Sequence, residues 1–397
     1  MRQRHSRWHR VCIADVCESI VDCVNKTAAT VSEPTHYKMI RTTNVKKGWV
    51  HLDEVKYVTE DVFRKWTRRQ LPKRGDVILT REAPLGEVGL LRTSDRVFLG
   101  QRLVSYRADS HKLDNRFLLY AFQGADVQGQ IKSLGSGATV EHMRVPDCEK
   151  LTLDLPPLAE QRRIASILSA YDDLIENNTR RIAILEEMAR RIYEEWFVKF
   201  RFPGHENSRM VESELGDVPQ AWKISKLGDV IELAYGKALK AEDRKPGRYP
   251  VYGSSGIVGW HDEGLVSGPG IIVGRKGNVG SVFWSEESFF PIDTVFYVRT
   301  DLPLLFVFYN LQSQNFLNND AAVPGLSRNQ AYALPLIVPT AGLLSKFDEA
   351  CGPIVALSRL LTRENENLRN TRDLLLPKLI SGELDVSQMP EPETLAA

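Results

Sequence analysis

Ile164, Leu168, Tyr171, Ile175, Asn178, Ile182, Leu185, Ala189, Ile192 and Trp196 follow one another at steps of four and three residues. They lie in a stretch that opens Leu158-Ala159-Glu160-Gln161-Arg162-Arg163. Apolar residues at this spacing make a stripe along one face of an α-helix, and a stripe sustained this long is a coiled-coil seam. Adding 183 to each number gives Phe347, Cys351, Ile354, Ser358, Leu361, Asn365, Leu368, Arg372, Leu375 and Leu379, a noisier seam that needs no gap. Two matched helices invite pairing with each other. Asn178, matched to Leu361 in this register, is a candidate for fixing register or partner choice, or a tolerated, partly solvated position.

The segments preceding the helices also repeat. Trp8, Asp15, Val16 and Glu18 match Trp222, Asp229, Val230 and Glu232 at a constant offset of 214. Deeper in each copy Val77-Ile78-Leu79 or Ile271-Ile272-Val273 leads to Thr80-Arg81 or Gly274-Arg275. Gly86-x-Val88-Gly89 or Gly277-x-Val279-Gly280 then follows, a strand-and-turn pattern used twice. The expected fold class is α+β: two duplicated globular domains and two long helices paired as an antiparallel intramolecular coiled coil with a pseudo-two-fold axis. A helix of about 40 residues is on the order of 60 Å long, so the pair would act as a spacer. The other reading is an intermolecular coiled coil that dimerises the chain.

The expected boundaries are a first domain over 1–156, a helix over 157–200, a connector over 201–221, a second domain over 222–340, a distal helix over 341–382 and a disordered tail over 383–397. Pro156-Pro157 stops the last strand of the first domain, and Pro203-Gly204 opens a breaker-rich connector. Gly352-Pro353 is expected to interrupt or kink the distal helix and Pro377 to end its stronger stretch, because proline has no amide hydrogen and clashes with the preceding turn. The tail, with Pro390 and Pro392, shows no core residue.

Composition is that of an ordinary globular chain, 397 residues with 43% hydrophobic and 26% charged. There is no run of 18 apolar residues and no apolar signal core after Met1, so the expected location is cytoplasmic. The five cysteines form no Cys-x-x-Cys pair and read as reduced, buried thiols, with no metal site. The net charge of +1 hides an asymmetry. Residues 1–150 hold 26 Lys and Arg against 18 Asp and Glu, whereas residues 205–340 hold 12 against 15. A basic surplus favours a polyanion partner through phosphate contacts and counterion release, so DNA binding is better supported for the first domain than for the second.

Three helix-flanking strings carry a family resemblance: Pro156-Pro157-Leu158-Ala159-Glu160-Gln161, Trp196-Phe197-Val198-Lys199-Phe200-Arg201-Phe202-Pro203-Gly204 and Leu375-Leu376-Pro377-Lys378-Leu379-Ile380-Ser381-Gly382-Glu383. They resemble the specificity subunit of type I restriction–modification systems. Ile40-Arg41-Thr42-Thr43-Asn44, the stretch from Gly75 to Gly86, and Tyr249-Pro250-Val251-Tyr252-Gly253-Ser254-Ser255-Gly256 look like parts of its target-recognition domains. The resemblance implies two domains that each read one half of a bipartite site on double-stranded DNA, held apart by helices that also dock methyltransferase (modification) subunits, with a restriction/translocase subunit in the full complex. It implies no catalysis by this chain, and places S-adenosylmethionine, ATP and Mg on the partners. The second copy departs from the pattern at Thr340-Ala341-Gly342-Leu343-Leu344, which lacks the Glu-Gln of the first.

The residues agree with a non-enzyme. There is no Gly-x4-Gly-Lys-Ser/Thr loop, no His-Glu-x-x-His helix, no Gly-x-Ser-x-Gly elbow and no Asn/Asp-Pro-Pro-aromatic target-base motif. Base edges are read by Arg, Lys, Asn, Gln, Ser or Thr presented from loops or strands. The candidates are Arg41, Thr43, Asn44, Lys46, Arg81, Gln101 and Arg102 in the first domain, and Lys237, Tyr252, Ser254, Ser255, Arg275, Lys276 and Asn278 in the second. Arg81 and Arg275, at repeat-equivalent positions, could instead brace their turns by bonding backbone carbonyls. Tyr193, Trp196, Phe197 and Phe200 exceed what one seam needs: they either anchor a partner subunit or cap the helix against the second domain. The alternative function is a two-domain coiled-coil adaptor that reads no sequence, and duplex discrimination separates the two.

Overall fold

The computed structural model describes residues 8–137, 141–316 and 325–390. The chain divides into two compact units, Met1–Asn178 with Glu364–Ala397, and Thr179–Arg363. Each long helix, Leu158–Tyr193 and Ala341–Ile380, contributes one part to each unit.

The first unit is built on a six-stranded sheet in the order Cys17–Asp22, Leu103–Ala108, Val77–Arg81, Leu85–Leu90, Gly48–Val50 and Val45–Lys46. Val77 and Leu79 pack on one face with Phe117, Leu118 and Phe122 of the helix Asn115–Gln123, while Ile78 packs on the other with Ile40, Val45 and Leu103. Both faces are covered, which is why this strand reads as an unbroken apolar run rather than an alternation. A smaller sheet holds Tyr37–Ile40 between Lys56–Tyr57 and Arg96–Leu99, the last pairing being parallel. His9–Cys12 pairs with Thr152–Leu155, and the helix starts just after Pro156-Pro157.

Glu160 and Gln161 fasten that helix to the domain. Trp8 Nε1 donates to Glu160 Oε1 over 3.1 Å. The Gln161 amide is fully buried: its oxygen accepts from the Asp114 amide at 2.9 Å, and its nitrogen donates to the carbonyls of Lys112 and Pro156 at 3.0 and 2.9 Å. Further along, the first unit pairs the two helical segments antiparallel. Asp172 accepts from Arg372, Asn365 donates to the Ile175 carbonyl, and Asn178 donates to Glu364. Ile164, Leu168, Ile175, Asn178 and Asn365 are buried and Tyr171, Leu368 and Leu375 half-buried.

The second unit repeats the plan. Glu232–Tyr235, Val295–Arg299, Gly270–Gly274 and Val282–Ser285 form an antiparallel sheet in that order, the same order as the first four strands of the first unit's sheet. Ile271 and Val273 face one core and Ile272 the other, as Val77, Leu79 and Ile78 do. Tyr249–Gly253 lies between Gly256–His261 and a parallel neighbour, Phe290–Pro291, and Lys223–Lys226 pairs with Pro335–Val338. Phe347, Cys351 and Leu361 of the distal seam are buried, and Ile182, Leu185, Ile192 and Ile354 half-buried. Burial pushes the Cys17 and Cys351 thiols up to about 12 and Cys148 to about 11, which leaves them inert as nucleophiles at neutral pH.

Several expectations need correction. The distal helix runs through Gly352-Pro353 and Pro377 to Ile380 without a break. Both prolines face solvent and each forgoes a single backbone bond, while the flanking Cys351 and Leu379 are buried, so side-chain packing outweighs the local penalty. The tail is not free of core residues: Val386 is buried in the first unit's core and the Leu384 amide donates to the Lys378 carbonyl. The rest of the expected disordered segment, 391–397, lies outside the described residues. The stretch read as a connector contains a hairpin, Met210–Ser213 with Gly216–Pro219. The first long helix ends at Tyr193 and is continued by the π-helical turn Glu194–Val198. That turn brings Phe197 onto Phe306 and Phe347, with ring centroids 5.0 and 4.9 Å apart. Tyr193 and Phe197 are buried in the second unit's core, with Trp196 and Phe200 packed partly against it. The rings therefore cap the helix on its own unit, and Tyr193 and Phe197 are not available as partner anchors.

Candidate nucleic-acid interface

In the first unit the candidate loops converge at the end of the strand Val77–Arg81. The turn Thr42–Asn44 is closed by its own asparagine: Asn44 Oδ1 accepts from the Arg41 amide at 2.8 Å, and the Asn44 amide donates to the Arg41 carbonyl at 2.9 Å. Asn44 is thus buried and structural rather than a base reader, and Arg41 donates through Nη2 to the Glu54 carbonyl. Thr43 and Lys46 are exposed. Glu87 joins this loop to the hairpin by accepting from the Lys47 amide at 3.1 Å, while its own amide donates to Thr80 Oγ1. Gly48 turns the loop back at φ +88°, a backbone conformation that residues with a Cβ rarely adopt, and a Cβ there would also push Gln123 Nε2, 2.6 Å away, aside.

The Arg81 amide donates to the Arg102 carbonyl at 2.8 Å, and Arg102 forms an exposed ion pair with Glu82 at 3.3 Å. Exposed Gln101 lies beside them, 3.4 Å from Thr27 Oγ1. The Arg81 side chain points back: Nη1 donates to the Met143 carbonyl at 2.8 Å, and the Met143 amide donates to the Arg81 carbonyl at 2.9 Å. Arg81 is a brace. His142, adjacent to this contact and bridged to Glu82, belongs to the same surface and carries no local sequence signal.

The second unit reproduces this frame. The Leu326 amide donates to the Arg275 carbonyl at 2.8 Å, the Arg275 amide donates to the Thr294 carbonyl at 2.9 Å, and Arg275 Nη1 donates to the Asp293 carbonyl at 3.0 Å. Ser281 Oγ lies 2.8 Å from the carbonyls of both Ser254 and Asn278, tying the loop after Tyr249–Gly253 to the glycine turn. Lys237, Ser255, Lys276 and Asn278 are exposed and Ser254 half-buried around that knot. Tyr252 is not a reader: it is buried, and its hydroxyl donates to the Trp284 carbonyl at 3.2 Å. The glycines at 268, 270, 274, 277 and 280 belong to the hairpin of Gly270–Gly274 with Val282–Ser285 and its approaches, and cradle no helix N-terminus. Sequence reasoning passed over Tyr235 and Arg328. Arg328 follows Leu326 as Val145 follows Met143, so the first copy has no arginine at the matching position and the repeat carries no signal for it.

Two strand-end arginines with the same backbone frame, each spending its side chain on a backbone carbonyl, on sheets of the same strand order, make the duplication structural. A family model described as the type I restriction modification DNA specificity domain matches residues 5–187 and again 219–341. The chain belongs to that family. It is similar to the type I restriction enzyme MjaIX specificity subunit of Methanocaldococcus jannaschii, 23% identical over 370 residues that cover 84% of this chain and 82% of that one. A putative type I specificity subunit of Mycoplasma pneumoniae is 30% identical over 178 residues, 43% of this chain and 44% of its own. In fold the chain is similar to the crystal structure of a type I restriction–modification S subunit from M. genitalium, with a TM-score of 0.61 at 18% identity, covering 96% of this chain and 98% of that one. DNA-target recognition in a type I restriction–modification system is the function of this family member, and the surface described here lies on both matched segments.

Proposed function

We propose that each unit reads one half of a bipartite duplex site and that the long helices set the gap between the halves. The observation that carries this is the repeated loop frame, Arg81 with Met143 and Arg275 with Leu326, each carrying exposed polar side chains beside a strand end. Two readers joined by helix add their base contacts, and helix length then sets the number of unread base pairs between them. In the first unit the exposed Thr43, Lys46, Gln101 and Arg102 face the duplex, and in the second Lys237, Ser255, Lys276 and Asn278 do so.

The chain itself is non-catalytic in this reading. It lacks the phosphate-loop and target-base motifs, so methyl transfer and nucleotide hydrolysis, with S-adenosylmethionine, ATP and magnesium, belong to the modification and restriction/translocase subunits. Among the described residues no group of three or more His, Cys, Asp or Glu could hold a metal ion, and no helix is long and apolar enough to cross a membrane. Modification subunits dock on helix faces that leave apolar side chains in water: Ile184, Met188 and Leu360 in the second unit, and Leu174 and Leu374 in the first. The complex works in the cytoplasm, where its DNA is.

Selection of duplexes from a randomised pool, with this chain co-expressed with a modification subunit, tests the reading. Two enriched blocks at a fixed separation are expected. Enrichment of no block at moderate salt, with the complex intact, would replace it by a scaffold that reads no sequence.

A further inference from the structure

Residues 205–340, the globular part of the second unit, hold 12 Lys and Arg against 15 Asp and Glu, yet two of these arginines converge on one exposed ring. Tyr235, half exposed at the end of the strand Glu232–Tyr235, has the Arg275 guanidinium carbon 4.8 Å from its ring centroid and that of Arg328 at 5.1 Å. Arg275 also lies 5.7 Å from the Phe296 ring, and Arg328 lies 5.8 Å from that of Tyr332. Among the described residues neither arginine forms an ion pair, whereas Arg299, Arg359 and Arg363 of the same unit pair with Glu232, Glu286 and Glu287. Asp293, 18 positions further on, meets Arg275 through its backbone carbonyl.

Aromatic faces orient guanidinium groups without neutralising them, so two like charges are held at one ring, within about 10 Å of each other, with N–H donors left unspent. An anion with several acceptor oxygens, seated at the ring, is attracted by both charges and accepts from their free N–H groups. The exposed Lys237 and Lys276 flank the pair, since the Lys237 amide is bonded to Pro291 and the Lys276 amide to Thr294 beside Arg275. We propose that Tyr235, Arg275 and Arg328 form a clamp for a backbone phosphate of DNA, the contact by which the less basic unit holds its half-site. The clamp rests on the reading of this unit as a DNA reader. It positions the duplex and carries no sequence information. Arg275 is already committed to its carbonyl brace, so Arg328 is the residue that answers for the clamp.

The test is a salt titration of a fluorescent cognate duplex and a scrambled one against the complex of this chain with its modification subunit. Arg328→Gln is expected to weaken both duplexes by the same factor, roughly 5- to 10-fold at moderate salt, and to lower the slope of log affinity against log salt by about 0.9. Arg328→Lys, which keeps the charge, should keep the slope, and Tyr235→Leu should weaken both duplexes alike. An unchanged slope and affinity in Arg328→Gln with an unaltered melting temperature overturns the clamp. A loss confined to the cognate duplex also overturns it, by making Arg328 a base reader. If wild-type protein binds both duplexes equally, sequence reading by the complex fails, while the change in salt slope still decides the clamp.

Discussion

Arg372 donates through Nη1 to Asp172 Oδ1 over 2.6 Å, joining residues 200 positions apart, and the second oxygen of Asp172 accepts from the Tyr120 hydroxyl at 2.6 Å. One buried carboxylate thus ties both helical segments of the first unit to the domain helix Asn115–Gln123. Asp172→Ala leaves a guanidinium and a phenol without their acceptor and is expected to cost about 3–5 kcal/mol, whereas replacing Asp172 and Arg372 together by leucines should recover most of it. Urea unfolding of the three variants reads this directly, and a double variant no better than the single one would remove the ion pair from the account.

Gln161 makes three hydrogen bonds from a fully buried side chain. Gln161→Ala strands the Asp114 amide and two carbonyls, for a loss of about 1–3 kcal/mol. Amide exchange should show faster opening at the start of the helix Leu158–Tyr193 and of the helix Asn115–Gln123, where Asp114 is the N-cap. Unchanged protection there would mean that the seam alone holds the helix.

Arg81 and Arg102 sit on one backbone contact but face different fates. Because Arg81 bonds the Met143 carbonyl, Arg81→Ala should lower the melting temperature of the chain. Arg102 is exposed and, among the described residues, its side chain pairs with Glu82 alone, so Arg102→Ala should leave melting unchanged and weaken duplex binding roughly tenfold. Calorimetry and duplex titration of the two variants distinguish brace from reader, and the reverse pattern would exchange the roles.

Asp348, on the distal helix within the second unit, is partly buried, and among the described residues its Oδ1 has no hydrogen-bond partner. Burial raises its carboxyl above the usual range. A carboxyl with a raised folded pKa binds its proton more tightly in the native state, so stability rises as pH falls through the window between the unfolded value of 3.8 and the raised one. Asp348→Asn is accordingly expected to melt higher than wild type at pH 7, with the gap closing as pH falls through that window. A gap independent of pH would show that the carboxylate charge is not its cause.

The seam was legible because helical periodicity is a local property: residues three and four apart share a face whatever the rest of the chain does. The doubled strand-and-turn pattern was legible for the same reason, and Val77-Ile78-Leu79 and Ile271-Ile272-Val273 occupy matching strands. Individual side-chain roles were not. Asn44, Tyr252 and Arg81 are residue types that read bases, and each is consumed by a bond within its own unit. Tyr235, on a strand, and Arg328, at the start of a short helix, lie 93 positions apart and announce nothing until the fold brings them together. Pro353 and Pro377 mislead in the opposite direction, since the local signal for a helix end was real and packing overrode it.

Sequence alone determined that this protein has two copies of one α+β plan, each followed by a long seamed helix, and its helix-flanking strings determined the family. Those features depend on residue order within a few turns or strands, where sterics and periodic burial act directly. Tertiary structure alone decided which polar side chains meet solvent and which are spent inside, how Glu160 and Gln161 fasten a helix to its domain, and that Val386 belongs to a core. Those outcomes rest on contacts between residues tens to hundreds of positions apart, where burial and competition for hydrogen bonds are settled only when the chain has closed on itself.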